Sequence, residues 1–121
     1  MTTEQSTGQR PEAGPEPPAA LSAADLQEIF HALSNPARLA IVRWLRDPGG
    51  FPPQDRPAEE VGVCLKHIQA RAGVSQSTAS QYMSVLQRAG LVTSTRIGQW
   101  THYKRNDALL RRLGTQLATE L

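Results

Sequence analysis

The sequence has no long run of apolar residues, and it does not begin with a basic segment followed by an apolar one. A membrane-spanning helix and a secretory signal peptide both need such a segment, so neither is expected. The single cysteine cannot form an internal disulfide, which agrees with a reducing compartment. We therefore expect a cytoplasmic protein with no membrane partner, and 121 residues suffice for one domain with a modest core.

Acidic residues are nearly missing from one long stretch of the chain. Residues 62–112 hold eight Lys or Arg and one Asp, a net charge of +7, whereas residues 1–61 hold five basic and nine acidic residues, a net charge of −4. A solvated surface normally mixes both signs. The basic segment is therefore the expected footprint of a nucleic-acid-binding face.

The first part of the chain predicts a tail followed by two helices. Residues 1–20 are rich in Pro, Glu, Gly and Thr without apolar periodicity, so we expect them to be disordered and the domain to span residues 21–121. Ser22 and Asp25 have capping-box spacing and open a predicted helix over 22–34. The Asn-Pro pair that follows is typical of a helix start and predicts a second helix to about Arg46.

Residues 47–60 contain four prolines and two glycines, so no regular element is expected to run through them and we predict a loop. Phe51 is its only large apolar residue and is expected to pin the loop to the core. Residues 61–64 are expected to form a short strand.

Residues 65–91 predict two short helices joined by a tight turn. Leu65, Ile68 and Ala72 form one apolar face, Gly73 is placed to end that helix, and Ser75 is placed to cap the next. The second helix has a buried stripe that includes Ala79, Met83 and Leu86. Its opposite face carries hydroxyls, amides and one guanidinium, which bond phosphates and base edges, and no acidic residue; it consists of Ser77, Ser80, Gln81, Ser84 and Arg88.

An antiparallel helix pair in an ordinary α domain would show the same spacing, and the residues after Gly90 distinguish the two. Two runs rich in β-branched and aromatic residues surround a glycine-containing turn over residues 91–105, which predicts a β-hairpin. A helix-turn-helix followed by a hairpin is a winged helix. The predicted fold is therefore mainly α with a small β-hairpin, a winged helix-turn-helix that binds double-stranded DNA.

The tail from Asn106 onward predicts an amphipathic helix rich in leucine. We expect it to pair with the first helix of a second subunit, although packing on its own first helix is the alternative. The residues expected at this homodimer interface are Leu26, Phe30, Leu109, Leu110, Leu113 and Leu117.

Several motifs together resemble the ArsR (ArsR/SmtB) family of bacterial transcriptional regulators over about residues 22–113. These are LSNPARLAI, SQSTAS at the start of the second helix of the helix-turn-helix, AGLV at its end, and GQWTHY in the hairpin. The resemblance implies a homodimeric repressor, dimerised through its first and last helices, that is released from DNA by an inducer. That inducer is often a metal ion.

The resemblance also implies which residues contact a pseudo-palindromic operator, six on the second helix of the helix-turn-helix and two at the tip of the wing. They are Ser75, Gln76, Ser77, Thr78, Ser80, Gln81, Arg96 and Gln99. Trp100 and Tyr103 match the family's wing and are expected to pack the hairpin against the domain.

The sequence departs from the family at the metal sensor. Where arsenic-sensing members carry three cysteines, this chain has Cys64, Lys66 and Gln69, so no three-sulfur site can form. We therefore predict no metal or other cofactor and an unidentified inducer. A metal-responsive repressor with an atypical site at Cys64 and His67, to which His31 or His102 could add a ligand, is the alternative.

Two other classes of function are less compatible with the sequence. A Cys-His hydrolase would need a third orienting group, and no surrounding motif supplies one, so no enzyme is predicted. A winged helix specialised for protein interaction would carry acidic or large apolar residues on the exposed face of the second helix. None are present there.

Overall fold

The computed structural model describes residues 20–121. The predicted disorder concerns residues 1–20, of which residues 1–19 lie outside the described part. No helix of the described residues is long and apolar enough to cross a membrane.

The described chain forms six helices and three strands, in agreement with a mainly α winged helix. In chain order they are α1 (Ala23–Leu33), α2 (Pro36–Leu45), α3 (Ala58–Val61), β1 (Val63–Cys64), α4 (Leu65–Ala72), α5 (Gln76–Arg88), β2 (Val92–Ile97), β3 (Trp100–Arg105) and α6 (Asp107–Glu120).

The first two helices begin at the predicted caps. Ser22 forms a reciprocal capping box, in which its hydroxyl accepts from the Asp25 amide at 3.0 Å and the Asp25 carboxylate accepts from the Ser22 amide at 2.9 Å. These hydrogen bonds lower the pKa of Asp25. Asn35 caps α2 by accepting from the Arg38 amide at 3.0 Å. Local side-chain chemistry thus fixes both helix starts.

No regular element runs through residues 47–60, as predicted, but the segment is not loop throughout, because two short elements lie in it. A 3₁₀ turn spans Pro48–Gly50, and α3 begins directly after Pro57. Both elements are three or four residues long, so each fits between prolines and uses a proline at or next to its first position, where no amide donor is needed. Phe51 is buried in the core, which confirms its predicted role in anchoring the loop.

The three strands form an antiparallel sheet in the order β1-β3-β2. Val63 and Cys64 pair with Tyr103 and His102 of β3, so the short strand predicted over residues 61–64 forms in its second half only. Val61 instead ends α3. The hairpin register runs from Val92 opposite Arg105 to the tip of the wing. The sheet therefore ties the segment before the helix-turn-helix to the wing.

Substitution of Gly62 is expected to be costly because β1 starts in close contact with β3. Gly62 has φ +96°, and a Cβ there would lie 2.6 Å from the carbonyl oxygen of Tyr103. We expect Gly62→Ala to lower the free energy of unfolding by about 1–3 kcal/mol in urea titrations. Gly114→Ala is the control. Gly114 is exposed in the middle of α6, and a Cβ added there would have no neighbouring atom within 4 Å. It should raise stability by about 0.5–1 kcal/mol, and equal effects of the two changes would contradict this account.

Helices α1, α2, α4 and α5 surround a core whose largest fully buried side chains include Ile29, Ile41, Ile68, Met83 and Leu86. The last helix packs on the same core, because the Gln116 side chain donates to the Leu21 carbonyl and accepts from the Leu21 amide, each at 2.8 Å.

This packing changes the expectation for one of the residues predicted at the dimer interface. Leu113 is only 6% exposed within the single chain and belongs to its core. Packing of the last helix within its own protomer, the alternative in the sequence, therefore accounts for Leu113. Leu26, Leu109, Leu110 and Leu117 are partly buried, and Phe30 is exposed.

Candidate nucleic-acid interface

The turn between α4 and α5 has the predicted chemistry. Gly73 adopts a left-handed conformation with φ 67°, and its amide donates to the carbonyl of Gln69 at 3.0 Å. Glycine tolerates this conformation without a steric penalty, so the chain can reverse in two residues. The second helix then starts at Gln76, capped by Ser75.

Helix α5 separates its two faces as predicted. Ala79, Met83 and Leu86 are buried, and they fix the rotation of the helix on the core. The opposite face, Ser77, Ser80, Gln81, Ser84 and Arg88, is exposed at every position. The helix therefore presents small polar side chains and a single cation to solvent, with no carboxylate among them.

Two of the six helix residues implied by the resemblance have a structural role at the start of α5. The Ser75 hydroxyl accepts from the Thr78 amide at 3.1 Å and lies 3.0 Å from the Thr78 hydroxyl. Both side chains are engaged with the helix terminus. Gln76, Ser77 and the pair at 80–81 remain exposed and unconstrained by such a cap.

The wing is a hairpin with the two-residue turn Gly98-Gln99. Gly98 has φ +60°, and the Arg96 Nε donates to its carbonyl at 3.0 Å, which orders the base of an exposed guanidinium. The Gln87 side chain donates to the Ser94 hydroxyl at 2.9 Å and joins α5 to β2. The wing is thereby positioned relative to α5.

The expectation for the two wing aromatics is half right. Tyr103 is buried in the core, and burial raises its pKa. Trp100 is 47% exposed, and the Lys66 ammonium lies 5.2 Å from the centre of its ring. Trp100 lies next to the wing turn, where the hairpin extends past the core. The prediction that Trp100 packs the hairpin against the domain is therefore wrong.

A groove of about 360 Å³ separates α5 from the wing and brings together four of the eight predicted DNA-contacting residues. Ser75, Ser77, Thr78 and Gln81 do not line it. Gln76 and Ser80 line it from the helix, and Arg96 and Gln99 line it from the wing. Lys66 and Gln69 of α4 complete it, with Trp100. Sequence reasoning missed the position of Lys66, although its place in the basic segment was a signal. A groove with two cations and several amide or hydroxyl groups can accept a phosphate backbone.

The residues around Cys64 are not arranged as the ligands of a metal ion. Cys64 is buried, and no cluster of three or more His, Cys, Asp or Glu side chains within residues 20–121 is arranged to hold a metal ion. Burial lowers the pKa of His67, and the charge of Lys66 lowers it further. His31 is exposed on α1.

No protein-family model matches the sequence. The chain is 42% identical over 96 residues to the uncharacterized HTH-type transcriptional regulator YbzH of Bacillus subtilis, a match that covers 78% of this chain and 96% of that protein. It is 35% identical over 82 residues to ArsR2 of Halobacterium salinarum, a protein named for an arsenical resistance operon. That match covers 68% of this chain and 59% of that protein.

The fold agrees with that of a solved regulator domain. The solution structure of the homodimeric winged helix-turn-helix DNA-binding domain of Mb0332 from Mycobacterium bovis matches with a TM-score of 0.56 at 20% identity. The match covers 97% of this chain and 91% of that one. The relatives are transcriptional regulators, which confirms the prediction of a regulator over an enzyme. Taken with the geometry of α5 and the wing, these likenesses show that the chain belongs to the ArsR family of winged helix-turn-helix, DNA-binding transcriptional regulators.

Proposed function

We propose that the protein is a homodimeric repressor that occupies a pseudo-palindromic operator overlapping a promoter and leaves it when an inducer binds. The observation that carries the proposal is the exposed face of α5, which offers hydroxyl and amide groups without a carboxylate. Small polar side chains let a helix enter the major groove, and the absence of acidic groups avoids repulsion from phosphates.

The proposed dimer is supported by the apolar surface of α1 and α6. Phe30 is 42% exposed on α1, while Leu26, Leu109, Leu110 and Leu117 are only partly covered. The related domain of Mb0332 is a homodimer. A two-fold axis would place the α5 helices of the two protomers on half-sites about 34 Å apart, or a multiple of that distance.

The proposed contacts divide between the helix and the wing. Ser77 and Gln81 read the bases, and Gln76 and Ser80 face the groove beside the wing. Ser75 and Thr78 hold the helix terminus. Arg96 and Gln99 at the wing contact the phosphate backbone.

Arg96→Gln should weaken binding to all DNA sequences alike. A phosphate contact carries no sequence information, so its loss should reduce the slope of log affinity against log salt by about one. Fluorescence anisotropy on operator and random DNA at several salt concentrations measures this. Arg43→Gln, which removes an exposed cation of α2 outside the groove, should leave the slope unchanged. A loss confined to the operator would contradict the assignment.

Selection of genomic fragments by the purified protein tests the proposed function. We expect enrichment of promoter-overlapping fragments that share a dyad-symmetric motif, and in vitro transcription from such a promoter should fall when the protein is added. Enrichment without symmetry would contradict the dimeric operator. Stimulated transcription would contradict repression.

Cys64→Ser should retain operator affinity within about twofold, a change of less than roughly 0.5 kcal/mol. The described residues offer no three-ligand cluster around this thiol, so arsenite should release neither the variant nor the unmodified protein. Anisotropy with and without arsenite measures both expectations. Stoichiometric metal bound by the unmodified dimer and lost in Cys64→Ser or His67→Ala would instead establish the metal-responsive alternative.

A further inference from the structure

A second cleft, of about 420 Å³, lies between the proline-rich loop, the start of α4 and the wing. Asp55 and Arg56 line it from the loop, and His102 lines it from β3. Lys66 and Trp100 line both this cleft and the groove beside α5. Its volume falls in the range of binding sites for small molecules. The two shared residues connect it to the proposed DNA-binding surface.

The loop wall of the cleft is held by one side chain. The Gln54 amide nitrogen donates to the Gly62 carbonyl at 2.7 Å and to the Arg56 carbonyl at 3.0 Å. Its amide oxygen accepts from the Cys64 amide at 3.1 Å. These bonds fasten residues 54–56 to β1. The loop, for which the sequence suggested no purpose, therefore forms a fixed side of this cleft.

His102 lines the cleft from β3, and only 8% of it is exposed. Its Nδ1 is buried without a hydrogen-bond partner among the described residues. A buried polar atom without a partner is unusual in a native fold. One wall of the cleft therefore contains a polar group that the fold itself does not pair.

The remaining lining indicates the chemistry of that ligand. Arg56 and Lys66 outnumber Asp55, so the charge of the lining favours an anion. Trp100 is half-exposed, with the Lys66 ammonium 5.2 Å from the centre of its ring, so a planar ring can stack on the part of the indole that Lys66 leaves open. A metal ion does not fit, because the described residues contain no cluster of three suitable ligands.

We propose that this cleft binds the inducer and that the inducer is a small planar aromatic acid. Its carboxylate pairs with Lys66 and Arg56, and its ring stacks on Trp100 beside His102. The inference deepens the proposed repressor function and rests on it for the consequence of binding. Lys66 is one of the two cations that the groove beside α5 offers to a phosphate backbone, so its pairing with the carboxylate weakens that groove's attraction for DNA and operator affinity falls.

Binding of the acid is tested on the full-length protein without DNA. The result therefore does not depend on whether the protein is a repressor. The probes are benzoate, 2-hydroxybenzoate and 2-naphthoate, with benzamide as a ring without charge and inorganic phosphate as a charge without a ring. We expect at least one aromatic acid to bind below about 1 mM and to shift the amide NMR signals of Cys64, Trp100 and His102. Benzamide and phosphate should bind at least about tenfold more weakly.

Three variants locate the site. Trp100→Ala and Lys66→Gln should each weaken binding at least about tenfold, whereas Trp100→Phe should restore most of it, because it keeps an aromatic face. Lys104→Gln is the matched control, since this exposed lysine of β3 does not line the cleft. Dispersed amide spectra verify that each variant is folded.

Binding of the acid and operator affinity in its presence together decide the proposal. Binding that depends on Trp100 and Lys66, together with at least about tenfold weaker operator binding in the presence of the acid, supports the proposal. No shift from any aromatic acid at about 10 mM overturns it, as does binding that is indifferent to both variants. Binding at this cleft without any change in operator affinity overturns the inducer role.

Discussion

Phe30→Glu is expected to give a monomer whose operator affinity is at least about 100-fold lower than that of the unmodified protein. Phe30 is 42% exposed in the single chain, so the change removes little from the protomer's own core. In the proposed dimer the same position would bury an unpaired carboxylate, which costs about 3–5 kcal/mol. Light scattering at micromolar concentration reports the oligomeric state, and anisotropy on the selected operator reports affinity.

Leu39→Glu is the matched control for this experiment. Leu39 is 41% exposed on α2, which lies outside the proposed interface, so the variant should remain a dimer. Leu113→Glu would be a poor test, because Leu113 is buried in the protomer and its loss would unfold the chain. A monomeric unmodified protein, or a Phe30→Glu variant that stays dimeric, would contradict the proposed interface.

The double variant Ser77→Ala, Gln81→Ala should lose most of the specific affinity for the operator. Both side chains are exposed on α5, and each lost base contact costs about 1–3 kcal/mol, so the pair should cost about 2–6 kcal/mol if the effects add. Each single variant should relax preference at one base position per half-site. Competition with operators changed at single positions measures that relaxation.

Ser84→Ala serves as the control because Ser84 is exposed on the same face but lies in the second half of α5, outside the proposed base-reading set. It should change affinity by less than about 0.5 kcal/mol. If the Ser77 and Gln81 variants weakened operator and random DNA equally, they would be phosphate contacts, and the proposed division between helix and wing would be wrong.

The features that the sequence predicted correctly depend on local chemistry. Ser22, Asn35 and Ser75 cap helices through side-chain oxygens a few residues from their partners, and Gly73 ends α4 by its own backbone freedom. The rotation of α5 follows from apolar spacing alone. Such information lies within a few residues, so periodicity and capping rules retrieve it.

The features that the sequence did not predict depend on contacts between distant segments. Leu113 is covered because Gln116 ties α6 to Leu21, 95 residues away, and no periodicity shows which neighbour covers an apolar stripe. Trp100 is exposed because the hairpin extends past the core at its turn. Two clefts that share Lys66 become visible only when the loop, α4 and the wing are assembled.

A footprint of the unmodified protein on the genomic fragment that it selects most strongly tests the central claim most directly. We predict two protected half-sites related by a dyad, with centres about 34 Å or a multiple of that apart, and loss of both in the Ser77→Ala, Gln81→Ala variant. Protection without sequence preference or without dyad symmetry, or a footprint unchanged in that variant, would contradict a dimer that reads DNA through α5.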